Sequence, residues 1–161
     1  MADGSGLAAN YSISSGQTTT ANITPKSLTV SGITASNKTY DGSTNVTLTG
    51  TAVYSGIVDG DTFNGTYIGA FSDKNVGTGK TVNITSSYSG ADVNNYSVTD
   101  QSSTTANITA KSLTVSGITA SDKTYDGSTN ATLTGTAVYS GLVSGDTFTG
   151  SYIGAFSNAN V

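Results

Sequence analysis

The chain has no cysteine, histidine or tryptophan, and neither arginine nor glutamate occurs in its 161 residues. Without Cys there are no disulfides to staple a small fold and no thiol nucleophile, and without His and Glu the commonest general bases and zinc ligands are missing too. Only Asp, Lys, Tyr, Ser and Thr remain for chemistry. No Ser-Lys or Asp-based hydrolytic constellation stands out among them, so no catalytic residue is assigned and the chain is expected not to be an enzyme. Six lysines against ten aspartates leave a net charge of −4, which argues against a nucleic-acid partner, since phosphate-backbone binding needs clustered basic side chains. No apolar run approaches the ~18 residues of a spanning helix, so no membrane insertion is expected. Met1-Ala2-Asp3-Gly4-Ser5-Gly6 lacks the basic start and apolar stretch of a signal peptide.

What the chain does have is itself, nearly twice. Lys26-Ser27-Leu28-Thr29-Val30-Ser31-Gly32-Ile33-Thr34-Ala35-Ser36 returns 85 positions later as Lys111 to Ser121, and Tyr40-Asp41-Gly42 returns at the same offset as Tyr125-Asp126-Gly127. Asn10-Tyr11-Ser12 against Asn95-Tyr96-Ser97, and Ala21-Asn22-Ile23-Thr24 against Ala106-Asn107-Ile108-Thr109, keep that register without a gap. This divides the chain into a leader or tag at 1–6, the tail of an upstream repeat at 7–25, a complete repeat at 26–110 and the head of a second, truncated repeat at 111–161. Only the stretch from Gly77 to about Ala91 has no second copy; it contains Lys80-Thr81-Val82-Asn83-Ile84-Thr85, which reads as a strand.

Nothing sustains a 3.6-residue apolar period, and the wealth of Thr, Val, Ile, Tyr and Gly favours a pleated, half-buried surface. The expected class is all-β: tandem small β-sandwich-like modules of roughly six or seven strands each, in a stiff elongated arrangement. Alternation places Leu28, Val30, Val46, Leu48, Val82 and Ile84 on inward faces, with Phe63, Tyr67 and Phe71 as larger core side chains. Turns are expected at Asp41-Gly42, Ser55-Gly56, Asp59-Gly60, Asn64-Gly65 and Ser89-Gly90. Stiffness follows from the junctions, because Ile23-Thr24-Pro25-Lys26 and Ile108-Thr109-Ala110-Lys111 pass from one unit to the next with no Gly/Ser linker.

Several residues are weighed as sites. Asp-Gly after an aromatic is a tight-turn signal in which Gly takes positive φ, so Tyr40, Asp41, Gly42, Tyr125, Asp126 and Gly127 are expected to form a structural motif. Asp59, Asp61 and Asp146 are weak calcium candidates; Asp59-Gly60-Asp61 loses one carboxylate in its counterpart Ser144-Gly145-Asp146, and no cofactor is otherwise expected. Lys26, Lys80, Asn83 and Asn107 permit a lysine-asparagine cross-link. Tyr54, Tyr67, Tyr139 and Tyr152 are candidates for contacting a glycan or protein. The Asn-x-Ser/Thr sites, such as Asn22 and Asn37, are what a Thr- and Asn-rich chain produces by chance, and Thr18-Thr19-Thr20 reads as ordinary solvent-facing strand threonines, not an ice-binding ladder.

The segment 26–44, with Asp73-Lys74-Asn75-Val76-Gly77-Thr78-Gly79-Lys80 and Asn95-Tyr96-Ser97-Val98, resembles the YDG-domain repeat, named for the Tyr-Asp-Gly element. The second copy departs from it at Ser157-Asn158-Ala159-Asn160-Val161, where the Asp-Lys pair is replaced. The resemblance implies tandem repeats of large secreted bacterial adhesins of the filamentous-haemagglutinin type, hence an extracellular, cell-surface location and a stalk or spacer role in adhesion or biofilm. Partners are then the neighbouring repeats. Head-to-tail fibres of identical molecules joined by strand complementation, and a module binding host or matrix glycans or proteins, are the alternatives.

Overall fold

In a computed structural model the described residues are 11–12 and 14–160. The leader at 1–6 and the first residues of the 7–25 tail lie outside them. The strands are β1 (Lys26–Ala35), β2 (Lys38–Thr39), β3 (Leu48–Ser55), β4 (Asn64–Phe71), β5 (Gly77–Ser89), β6 (Tyr96–Thr99), β7 (Ser103–Thr109), β8 (Thr114–Ala120), β9 (Asn130–Ala131), β10 (Leu133–Ser140) and β11 (Gly154–Ala155). Among the described residues there is no α-helix, and a single 3-10 turn spans Val93–Asn95.

The first repeat is a two-layer sandwich of sheets β3-β1-β6 and β2-β7-β5-β4. Period-2 alternation turns Val82 and Ile84 of β5 and Ala106 and Ile108 of β7 toward Leu28, Val30 and Ile33 of β1. Leu28, Val82 and Ile108 are fully buried, each contributing about 1.5–3 kcal/mol. Phe63 meets Tyr54 and Tyr96 edge-on with ring centroids 5.2 and 5.8 Å apart, and Phe71 packs with Val82, Ala106 and Ile108.

β1 changes its inward parity halfway. Leu28 and Val30 point to the core, and so does Ile33, because Gly32 at φ +86° and Gly50 at φ +81° form a bulge where the pairing steps from Ser31↔Val53 to Ile33↔Gly50. The same glycine pair recurs as Gly117 and Gly135 between β8 and β10. Past the bulge, where β6 has ended, the Gln101 side chain takes over its edge: Ile33 N–H donates to Oε1 at 2.9 Å, and Nε2 donates to the Ile33 carbonyl at 2.6 Å.

One sequence expectation is corrected. Asn64-Gly65 does not turn; it opens β4, opposite Ser89 and Tyr88, with Gly65 directly beneath the Tyr67 and Tyr54 hydroxyls. Tyr67, half-buried, packs against the Val30, Ile33 and Ile84 cluster, its hydroxyl donating to Tyr54 at 3.0 Å.

The strand directions define two poles. Lys26, Val58–Asp61 and Tyr96 lie at the pole where the chain enters; Ala35, the Tyr-Asp-Gly turn, Gly77 and Thr109 lie at the pole where it leaves. The second repeat reproduces β1 and β3 as β8 and β10, and the Asn45↔Ala70 bridge as β9–β11. It has no counterparts of β5, β6 and β7 among the described residues. Side chains that those strands cover in the first repeat are therefore open: Phe71 is 3% exposed and Phe156 38%, Phe63 7% and Phe148 49%.

Candidate functional site

The Tyr-Asp-Gly turn is organised by a lysine three residues before its aspartate. Lys38 Nζ donates to Asp41 Oδ1 at 2.7 Å, to the Ser43 and Asn45 carbonyls at 2.8 and 2.9 Å and to Ser43 Oγ at 3.1 Å, and lies 5.8 Å from the Phe71 ring centroid. Asp41 Oδ1 also accepts the Ser43 N–H at 2.9 Å. The Lys38 ammonium, followed by that backbone N–H, holds the Asp41 carboxyl at about 2. The second repeat builds the same cage: Lys123 Nζ to Asp126 Oδ1 and the Ser128 carbonyl at 2.7 Å each, with the Asp126 carboxyl again at about 2 from the same leading cause.

With the turn fixed, Tyr40 points out of the exit pole. Its N–H is held by the Thr109 carbonyl at 2.8 Å, and its hydroxyl donates to Asp146 Oδ2 of the second repeat at 2.7 Å. Lys74 Nζ approaches Asp146 Oδ1 at 3.9 Å. Asp146 is presented by a tight turn closed by its own N–H on the Val143 carbonyl at 3.0 Å, with Gly145 at φ +88°. Val143 rests on Gly42, where φ is +80° and an added Cβ would come within 2.9 Å of Val143 Cγ1. A groove between the repeats is lined by Tyr40, Val76, Leu113, Val143, Asp146 and Phe148.

The Asp146 carboxylate, through its hydrogen bond, is the leading reason the Tyr40 phenol is raised above 10.0. A raised phenol contributes fully to docking below pH ~10 and loses that contribution as pH rises through its own higher value. The phenolate absorbance assigned to Tyr40, taken as wild type minus Tyr40→Phe, should therefore titrate above pH 10. Asp146→Asn should bring that midpoint back toward 10, and a midpoint that Asp146→Asn leaves in place would show that the hydroxyl does not meet this carboxylate.

The other candidates are engaged elsewhere. Asp61 Oδ2 accepts the Tyr96 hydroxyl at 2.5 Å, and Asp59 is exposed; Asp59, Asp61 and Asp146 do not converge, and no cluster of three metal-ligating side chains forms among the described residues. Lys80 faces inward and reaches both Asp73 oxygens at 2.8 Å, whereas Asn83 lies on the opposite face of β5 and Asn107 Oδ1 accepts the Gly79 N–H at 2.7 Å. Asp73 thus pairs with Lys80, not with its neighbour Lys74. Tyr139 and Tyr152 repeat the hydroxyl pairing of Tyr54 and Tyr67, at 3.0 Å. Lys38, Lys74 and the junction role of Asp146 escape a reading of single motifs. The signal for Lys38 was the unbroken Lys-Thr-Tyr-Asp-Gly-Ser at 38–43 and 123–128.

No curated protein and no solved structure is significantly similar to the chain. The YDG domain matches residues 24–106 and again 109–161, meeting where β7 hands over to the second repeat. With two matches that together take in most of its length, the chain belongs to the YDG domain family.

Proposed function

We propose that the chain is a structural repeat of a secreted bacterial adhesin, working outside the cell as a non-catalytic stalk or spacer in surface adhesion or biofilm. The observation that carries this is the joint itself. One repeat hands the chain to the next within a few residues, and the pole it leaves is bonded to its successor through Tyr40, Asp146, Lys74 and the Gly42–Val143 contact. A linker-free joint with a polar latch suits a rod of coupled modules better than a flexible string. The strongly held titratable groups support the same role, since Asp41, Asp73 and Asp126 are each tied to a lysine of their own repeat.

Small-angle scattering on chains with increasing numbers of repeats tests it. Because β1 runs ten residues from pole to pole, each added repeat should lengthen the particle by roughly 30–40 Å at nearly constant cross-section. A maximum dimension that grows as a flexible coil would remove the stalk reading.

A further inference from the structure

Two tyrosines meet hydroxyl to hydroxyl in each repeat. In the first, Tyr54 lies on β3, an edge of the β3-β1-β6 sheet, and Tyr67 on β4, an edge of β2-β7-β5-β4. No ladder joins these two edges, so the 3.0 Å contact between the hydroxyls bridges one layer to the other. In the second repeat Tyr139 and Tyr152, 85 positions on, make the same contact at 3.0 Å. One ring of each pair is held from the side: Phe63 meets Tyr54 edge-on at 5.2 Å between centroids, and Phe148 meets Tyr139 at 5.1 Å. Gly65 and Gly150 lie directly beneath the hydroxyls, so at that point neither pair is covered by a side chain.

This arrangement matters because of what one-electron oxidation does to a phenol. The phenoxyl radical spreads onto the ring carbons beside the oxygen, and two such carbons join in a product whose oxygens remain neighbours. A hydroxyl-to-hydroxyl contact is therefore close to the geometry of the product, and holding the rings there makes coupling an intramolecular event. Tyr88 is the competing partner for Tyr67, but its ring stands edge-on at 6.2 Å between centroids and its hydroxyl is taken by Asp100. With no cysteine in the chain, a covalent tie between the two sheets cannot be a disulfide.

We propose that Tyr54–Tyr67 and Tyr139–Tyr152 are oxidative cross-linking sites, each pair closing to a dityrosine when a peroxidase supplies hydrogen peroxide as oxidant. Each phenol gives up its O–H hydrogen, and the peroxide is reduced to two waters. One carbon–carbon bond forms between the rings, and the two ring hydrogens at that bond move to the oxygens, restoring both phenols. In the first repeat the link staples β3 to β4.

A haem peroxidase with hydrogen peroxide, acting on a dilute solution of the 161-residue chain and on free tyrosine as the control, tests this. Dityrosine fluorescence should appear while the chain stays monomeric. After cleavage at lysine, peptides 39–74 and 124–161 should each be lighter by two hydrogens, with fragment ions missing between the linked tyrosines. Tyr67→Phe should abolish the link in 39–74 alone, Tyr152→Phe the link in 124–161 alone, and Tyr88→Phe neither. Each substitution removes a single oxygen, so the fold should survive it. Linking residues 13 apart constrains the unfolded chain as a short disulfide loop does, so the melting midpoint of the first repeat should rise by roughly 10 °C. The proposal is overturned if free tyrosine couples and the chain does not, or if Tyr67→Phe leaves the first link in place. Links that form only between chains, through exposed Tyr11 and Tyr125, would overturn it too, as would a linked first repeat that melts no higher. None of these outcomes touches the stalk reading, which rests on the joint between repeats and not on these pairs.

Discussion

Phe71→Ala should cost the first repeat about 3–5 kcal/mol, whereas the identical change at Phe156 should cost the second roughly 1 kcal/mol or less. The two rings hold equivalent places 85 residues apart, and each lies near the lysine of its own cage, 5.8 Å for Lys38 and 5.7 Å for Lys123. What differs is cover. Phe71 is enclosed by Val82, Ala106 and Ile108, so truncation leaves a cavity the sheets cannot collapse into, and Phe156 has none of those neighbours. Hydrogen exchange separates the repeats: amides of β5 and β7 should lose protection in Phe71→Ala, and those of β8 and β10 should barely change in Phe156→Ala. Equal losses in both variants would mean the second repeat is closed over after all.

Gly50→Ala should cost about 3 kcal/mol, because alanine is strained at φ +81° and its Cβ would overlap the Gly32 carbonyl oxygen of the facing strand. Gly32 answers from the other side, where a Cβ would press on the Thr51 carbonyl. Neither strand can back away, since β1 is held on its far edge by β6 and then by Gln101. The neighbouring Thr51→Ala, at an exposed position, provides the comparison and should stay within about 0.5 kcal/mol. Thermal melts in which the two substitutions cost the same would show that the bulge tolerates a side chain. Gly135→Ala should be strained in the same way, at φ +84° against Gly117.

Much of the fold is legible in the sequence because threonine and valine alternate cleanly wherever one face is wet. Leu28, Val30, Val82 and Ile84 fall on the buried side by period alone. The second half of β1 is harder to see: Ser31-Gly32 looks like the end of a strand, yet a glycine bulge carries the strand on to Ala35 with its alternation inverted. Asn64-Gly65 misleads in the opposite sense, as a turn dipeptide whose glycine lies in a strand beneath two tyrosine hydroxyls and not in a bend. The turn at Asp41-Gly42 is readable from its own residues. That Tyr40 ends on Asp146 is not, because the two lie 106 positions apart and only the stacking of one pole on the next brings them together.

The placement of the poles has a mechanical corollary. The chain enters at Lys26 and leaves at Thr109, at opposite ends of strands that run along the line joining them. A tensile load passed from repeat to repeat therefore acts along β1 and β7, sliding each strand past its neighbours. The rungs between strands are stressed in shear and share the load at once, where a pull across the sheet would peel them open one after another.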